Sequence, residues 1–534
     1  MTKYFGLTGT KLHSAVAMVA GIGFVLFGYD QGVMGGLLTL DTFVETFPEM
    51  DTVGKSLTAA QKSYNSSVQG VVIAIYEIGC MFGALGTLWA GDRYGRRKVV
   101  FGGAIIMCIG ATIQCAAFGL PQFVTGRIIT GIGNGFVTAT VPMWQSECAK
   151  PKRRGAMVMI EGVLIVFGLA FSYWLNFAFY FINNQVNWRF PIAFQCVFAG
   201  ILIAFILSMP ESPRWLIKMG RNSESRAVFA ALEGLPVTDP VIEMHVQSVC
   251  VGLEQEQGSR ISLKMIGTQG RKKHFHRSML AIWSQAMQQL SGTNLITYYA
   301  TTIYQGSIGL SAVNARIVAA CQNTAYMFVA CVAIFTIERI GRRKLLMIGS
   351  AGQMSSMVVL AGTIWATGKG NTDAAIVASF FIFAFNASFA LGWLGIPWLY
   401  PAEIVGLEIR ATVNGLSTAT DWVLNFMVVM IAPVAFNSIG IYTYVIFAVM
   451  NGLMLFVVYF LYPETANRSL EEIDEIFENS NPWTPWDVVS IAHGLPIMHG
   501  NVNDAESRSA VKQYMGEKEN DSYAGTSHFT ETVG

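Results

Sequence analysis

The chain has 534 residues, 53% of them hydrophobic and only 13% charged, whereas soluble domains carry about 25% charged residues. Its formal net charge of +1 offers neither the basic field that nucleic acid needs nor the acidic excess of a solvating, disordered chain. The expected solvent is a lipid bilayer, and partners have to be read from individual sites.

Crossing a bilayer as helix takes about 20 apolar residues, because every backbone N–H and C=O must be paired internally there. Lys3 and Lys11 precede a first apolar stretch near 15–38 that lacks an A-x-A-like cleavage site, which predicts a retained membrane helix and not a removed leader. Further stretches follow near 67–90, 98–118, 122–145, 156–180 and 190–209, and then near 279–304, 313–337, 344–366, 374–398, 412–436 and 441–462. The fourth, seventh and tenth are less uniformly apolar than the others. This predicts an all-α membrane protein of twelve transmembrane helices. Its parts are a cytoplasmic N-terminus (1–14), a six-helix half (15–209), a polar cytoplasmic linker (210–278), a second six-helix half (279–462) and a cytoplasmic tail (463–534).

Basic residues set the orientation. Arg93, Arg96, Arg97 and Lys98 lie between spans two and three. Lys150, Lys152, Arg153 and Arg154 lie between four and five, and Arg339, Arg342, Arg343 and Lys344 between eight and nine, whereas the three–four and eleven–twelve connections have none. The positive-inside rule then places both termini and the linker in the cytoplasm. The loop from Thr39 to Ser66 is outside, where Asn65-Ser66-Ser67 reads as a glycosylation acceptor.

An internal repeat gives the architecture. Asp92-Arg93-Tyr94-Gly95-Arg96-Arg97-Lys98 returns as Glu338-Arg339-Ile340-Gly341-Arg342-Arg343-Lys344. Glu147 precedes Arg154 by seven residues as Glu403 precedes Arg410, and Pro210-Glu211-Ser212 closes the first half as Pro463-Glu464-Thr465 closes the second. The offsets are 246, 256 and 253 residues, so the chain is two six-helix pseudo-repeats in parallel, the layout of carriers that alternate access around a midplane site. Glycine permits a tight turn, and the carboxylates and guanidinium groups of Asp92, Arg96, Glu147, Arg154, Glu338, Arg342, Glu403 and Arg410 are placed to pair across helix ends as an inner gate. The alternative is that the basic residues only set topology.

Other motifs lead away from catalysis. The eight cysteines fall mostly in apolar stretches without C-x-x-C or metal-ligand spacing, and read as small membrane-core residues. Gly54-Lys55-Ser56 lacks the first glycine of a P-loop, with Glu49 in its place. Gly131-Ile132-Gly133-Asn134-Gly135 has no preceding strand and reads as a close-packing helix face. His274 and His276, among Arg271, Lys272, Lys273 and Arg277, read as a solvated basic face, not as metal ligands. No enzyme, metal or cofactor is implied.

Together, the D-R-x-G-R-R repeats, P-E-S-P-R, P-E-T and Gln288-Gln289-Leu290-Ser291-Gly292-Thr293-Asn294 resemble the sugar porter family of the major facilitator superfamily, from about Gly21 to Thr465. Val141-Pro142-Met143-Trp144-Gln145-Ser146-Glu147 and Met159-Ile160-Glu161-Gly162 are similar to the fungal branch that includes glycerol/proton symporters and monosaccharide transporters. The resemblance implies import of a small neutral sugar or polyol across the plasma membrane, with a proton as the second substrate. A hydroxyl-rich ligand needs amide donors and acceptors plus an aromatic wall. Gln288, Gln289 and Asn294 supply amides, and the resemblance implies that they bind ligand hydroxyls, that Tyr298 and Tyr299 form the outer gate, and that Asn323, Trp398, Trp422 and Asn425 are further binding positions. The chain departs from the family pattern in three places. Glu161-Gly162 stands where a sugar-binding Gln is common, Asp421 stands where Asn is common, and Phe385-Asn386-Ala387-Ser388-Phe389 lacks a common acid. These changes weaken the case for ordinary hexose specificity and strengthen the polyol alternative.

Asp30 sits at membrane depth in span one, where a carboxylate costs roughly 2.5–3.5 kcal/mol on insertion scales and so needs a partner. The resemblance makes Arg127, opening span four, that partner. Burial disfavours the charge and a nearby guanidinium favours it, so a change in their separation can load and release a proton. A permanent structural pair is the alternative. Glu77 is a second buried acid in span two. The rival from another class is a transporter-like sugar sensor that signals through its tail.

Overall fold

The computed structural model describes residues 3–52, 54, 57–149, 154–258, 263–406, 408–481 and 484–495, and these residues are all-helical. Lys55, Ser56, Lys150, Lys152, Arg153 and the tail beyond 495 lie outside the described residues. The first half comprises Gly9–Leu37, Ala59–Tyr94, Arg96–Cys115, Leu120–Cys148, Arg154–Tyr180 and Val186–Ile206. In the second half, span seven is broken into His274–Leu290 and Thr293–Thr302, followed by a wide turn at Ile303–Ser307. Spans eight and nine are Ala312–Ile340 and Arg342–Gly368. Span ten is broken into Thr372–Gly392 and Ile396–Ile404, and spans eleven and twelve are Arg410–Ser438 and Tyr442–Leu461.

Ten of these helical spans are individually long and apolar enough to cross a membrane, and spans four and seven are not among them. Both carry polar side chains that their neighbours enclose: Arg127 and Asn134 in span four, and Gln288, Gln289 and Asn294 in span seven, are at most 6% exposed. Packing repeats with the sequence. Span one packs on five as seven packs on eleven, two on four as eight on ten, three on four as nine on ten, and three on six as nine on twelve. The halves meet where two packs on eleven and five on eight, which interchange under a two-fold relation.

The repeated motif has one local design in both halves. Gly95 and Gly341 take φ of +88° and +93°, in the left-handed region where a side chain is strained, and so turn the chain sharply between spans two and three and between eight and nine. The next helix begins at once, and its first N–H groups need an acceptor. Glu211 Oε1 accepts from the Arg96 N–H at 3.0 Å, and Glu464 Oε1 accepts from the Arg342 N–H at 2.7 Å. The acid that closes each half therefore caps a helix in the middle of that half. In span four the glycines form the expected packing face: a Cβ on Gly131 would lie 2.3 Å from the Tyr76 carbonyl oxygen in span two, and one on Gly133 2.5 Å from the Met107 nitrogen in span three.

Two expectations are corrected. The Asn65 side chain is 6% exposed and its amide donates to the Pro48 and Asp51 carbonyls at 3.2 and 2.7 Å, so it braces the outer loop and is not presented as a glycan acceptor. The basic cluster before span seven is not a solvated face. Arg271 and Lys272 are exposed, but Lys273, His274 and Arg277 are only 7%, 8% and 1% exposed, and the tail helix Leu470–Glu478 packs on Arg277. Arg277 pairs with Asp474 and lies 4.5 Å over the Phe477 ring, and the His276 ring meets the same phenyl edge-on.

Candidate functional site

Spans one, four, five, seven, eight, ten and eleven line a cavity of about 250 Å³ between the halves. Its far end is lined by Leu169 and Thr297, and towards the end that carries the repeated basic motifs it is lined by Pro142, Val158, Thr418 and Trp398, the last 42% exposed. Phe24, Phe27 and Trp422 provide aromatic surface, and Phe27 meets the Trp422 ring edge-on at 6.0 Å.

Span seven brings its amides to this cavity because the helix stops between them. Leu290 ends the first segment, and Gly292, with φ of +89°, redirects the chain into Thr293–Thr302. The Asn451 amide of span twelve donates to the Ser291 carbonyl at 2.9 Å, one of the groups the break leaves without a helical partner. The buried turn then carries a polar chain across two helices. Gln289 Nε2 donates to Asp421 Oδ1 at 2.7 Å, and Asn294 Nδ2 donates to Gln289 Oε1 at 2.6 Å and to Asn425 Oδ1 at 2.7 Å. A carboxylate accepts only, so Asp421 fixes which way the Gln289 amide points, and with it the next link. Gln288 Nε2 donates instead to the Trp393 and Leu394 carbonyls at 2.6 and 3.2 Å, in the break of span ten.

The structure thus gathers Gln288, Gln289, Asn294, Trp398, Trp422 and Asn425 on one cavity, together with Glu161, Gly162 and Asp421 at the departures from the family pattern. It does not bring Asn323 there. Asn323 is fully buried and donates to the Ala319 carbonyl of its own helix at 2.9 Å, whereas Tyr326, one turn on, reaches the cavity. Gln31 of span one lines it too, a residue not expected there from the sequence because its neighbour Asp30 draws the attention in that run.

Beyond the cavity, away from the basic end, the halves are closed upon each other. Tyr298 and Tyr299 are fully buried. The Tyr298 hydroxyl donates to Glu77 Oε1 of span two, the Tyr299 hydroxyl to the Val429 carbonyl at 2.9 Å, and the Tyr173 hydroxyl to the Thr297 carbonyl at 2.7 Å. Arg316 of span eight donates to Thr39 O and Oγ1 at 3.0 and 2.7 Å and lies 4.2 Å over the Tyr180 ring, so it ties the ends of spans one and five to the second half. Sequence reasoning missed this latch, although an arginine inside an apolar run was a signal for it.

At the basic end the gate residues pair within their own halves. Arg96 makes a fork to Glu147 at 3.1 and 3.2 Å and lies 3.8 Å from Asp92. Arg342 bonds Glu403 at 2.8 Å and Glu338 at 2.9 Å. Arg410 donates to the Val405 carbonyl from Nε at 3.1 Å and Nη2 at 2.9 Å, and does not meet Glu403. Arg154 opens span five, and its side chain lies outside the described residues.

Asp30 and Arg127 are both fully buried, outside the lining of the cavity, with Nη1 4.0 Å from Oδ1. The guanidinium also donates to the Ile73 carbonyl at 2.9 Å and lies 4.6 Å over the Tyr76 ring, whose hydroxyl accepts from Asn134 at 2.6 Å.

Residues 16–477 match the family described as "Sugar (and other) transporter". The chain is 36% identical to Sugar transporter STL1 of Saccharomyces cerevisiae over 532 residues, covering 98% of this chain and 91% of that protein. It is 32% identical to Hexose transporter 2 of Kluyveromyces lactis, covering 88% of this chain and 84% of that protein. Among solved structures, the xylose transporter XylE from E. coli in a partially occluded inward open conformation superposes with a TM-score of 0.71 at 23% identity, over 86% of this chain and all of that one. The proton:xylose symporter XylE bound to 6-bromo-6-deoxy-D-glucose superposes at 0.72 and 24%, over 88% of this chain and all of the other. With its two six-helix halves around a central polar cavity, the chain belongs to the sugar transporter family of the major facilitator superfamily and is a multi-pass membrane carrier, not an enzyme.

Proposed function

We propose that the protein imports a monosaccharide, hexose or pentose, across the plasma membrane by proton symport with alternating access, with both termini in the cytoplasm. The observation that carries this reading is the convergence of Gln288, Gln289, Asn294 and Asn425 with Trp398 and Trp422 on one enclosed cavity. Amides bind hydroxyls, and the indole faces suit the C–H surface of a sugar ring. The repeated acid and arginine pairs serve as an inner gate that rearranges when the site faces outward. Asp30 and Arg127 couple the proton: they stand at 4.0 Å without a fork geometry, and so are placed to change partners.

A glycerol or polyol symporter is the second reading. It is supported by Glu161 and Gly162 in the cavity wall, where a carboxyl and a bare backbone replace the amide common to sugar carriers. Uptake competition among glycerol, glucose, xylose and galactose separates the two. Ligand uptake by a carrier-deficient cell separates both from a sensor.

Symport is tested by uptake with and without a protonophore, beside ligand-induced external alkalinisation. Asp30→Asn is expected to abolish accumulation while equilibrative exchange survives. Wild-type uptake that only equilibrates the ligand, insensitive to the protonophore, makes Asp30 a structural partner of Arg127 and the protein a facilitator.

A further inference from the structure

A carboxyl group at membrane depth needs something to balance its charge. Asp30 has Arg127 at 4.0 Å. Glu161 of span five and Asp421 of span eleven have no such neighbour in the wall they share: of the described residues that line the ligand cavity, none is Lys, Arg or His. Asp421 Oδ1 takes a 2.7 Å bond from the Gln289 amide, which is neutral and leaves the carboxyl without a counter-charge. That charge has to come from what the cavity holds, either a proton or a cationic group on the ligand.

The rest of the wall favours the cationic group. Gln288 Oε1, on a side chain 4% exposed, has no partner among the described residues and is a third acceptor. Its Nε2 is committed to the Trp393 and Leu394 carbonyls, so this amide is held with its oxygen free to accept. Phe24, Phe27, Trp398 and Trp422 put four aromatic rings on the same cavity, and ring faces attract a cation, those of Trp most strongly. An ammonium group carries three donors and no acceptor, whereas a hydroxyl brings lone pairs that a wall of acceptors does not welcome. At about 250 Å³ the cavity is smaller than the roughly 300–1,000 Å³ of pockets for drug-sized ligands, so a single small molecule fills it.

We propose that the cavity is built for a hydroxyl-rich ligand that also carries a protonated amine, an amino sugar or amino polyol, whose ammonium group supplies the charge that Glu161 and Asp421 lack, while its hydroxyls are left to Asn294 and Asn425. This deepens the reading of the cavity as a sugar or polyol site and rests on it.

The test is calorimetric binding to the purified full-length protein at mildly acidic pH, where a primary amine holds its proton. Glucosamine is compared with glucose, and serinol with glycerol. At least one amine is expected to bind about ten-fold tighter than its hydroxyl parent, the advantage of a charged hydrogen bond over a neutral one. In Glu161→Gln and in Asp421→Asn the ratio of the two affinities is expected to fall towards one, and because the ratio is taken within each protein, a general loss of affinity cancels. A gain that survives in both variants overturns the proposal. So does a wild-type protein that binds glucose or glycerol with no advantage for the amine; the two acids then hold protons, and the sugar or polyol reading stands. Binding of none of the four ligands removes that reading and this one together.

Discussion

At Gln288 the two ends of one amide have different duties. Its Nε2 is held by two carbonyls in the break of span ten, while its Oε1 has no protein partner among the described residues. Gln288→Ala should weaken apparent affinity by one or two hydrogen bonds at about 0.5–1.5 kcal/mol each, a several-fold to tens-fold rise in KM at unchanged expression. Gln288→Ala leaves the Trp393 and Leu394 carbonyls without their donor and should lower the melting temperature, and Gln288→Glu, which sets a carboxylate against them, should lower it further. Wild-type melting temperatures in both variants would mean that Nε2 does not hold span ten. That the amides of span seven face a polar cavity was legible in the sequence, because three amides within two turns of a membrane helix are costly unless they serve a polar space. Asn323 shows the limit of that argument. The adjacent amides Gln322 and Asn323 face different directions on one helix, which the sequence does not tell apart, and Asn323 turns back on its own backbone.

Span seven shows what a break does that a continuous helix cannot. Its inner segment holds Gln288 and Gln289, its outer segment holds Asn294, Tyr298 and Tyr299, and Gly292 joins them in a left-handed conformation. A Cβ at Gly292 would lie 2.7 Å from Phe447 Cδ1. Gly292→Ala therefore adds about 1–2 kcal/mol of backbone strain and a clash with the ring, and is expected to lower the melting temperature and turnover more than ligand affinity. A Gly292→Ala/Phe447→Ala double variant should recover the clash but not the strain, and a thermodynamic cycle over the four proteins measures the difference. The span was legible from its weak hydropathy and the break was not, because Ser291-Gly292-Thr293 interrupts the helix only with Asn451, 160 residues away, to receive the Ser291 carbonyl. For the same reason the Pro-Glu sequences were legible as a repeat and not as helix caps. Their partners lie 115 and 122 residues earlier.

For the molecule as a whole, the two-fold repeat of packing was legible from matched motifs, and the state in which the halves meet was not. That state depends on contacts such as Arg316 to Thr39, separated by 277 residues. Arg316 is 2% exposed, and hydrogen bonds from a charged group contribute about 1.5–3 kcal/mol, enough to move a two-state equilibrium ten-fold or more. Arg316→Ala is expected to raise the outward-open population by that factor. Spin labels at the exposed outer positions Glu45 and Ser311 should show a longer distance component in the variant, and an unchanged distance distribution would rule out the latch. Under the proposed symport the driving force would be substantial: about 2.3 kcal/mol from 100 mV and about 1.4 kcal/mol from one pH unit. Accumulation of a neutral ligand by a few hundred-fold is within reach, which suits scavenging from dilute medium.

The interrupted seventh helix also makes the site a length gauge. Gln288 and Gln289 are mounted on one segment and Asn294 on the other, with the tyrosines that close the outer end just beyond it. A ligand long enough to touch both segments reports its presence to the closing side, whereas a shorter one is held by the inner segment alone. Truncated analogues would then occupy the carrier as competitive inhibitors without being carried, and discrimination would follow molecular span before it followed the pattern of hydroxyls.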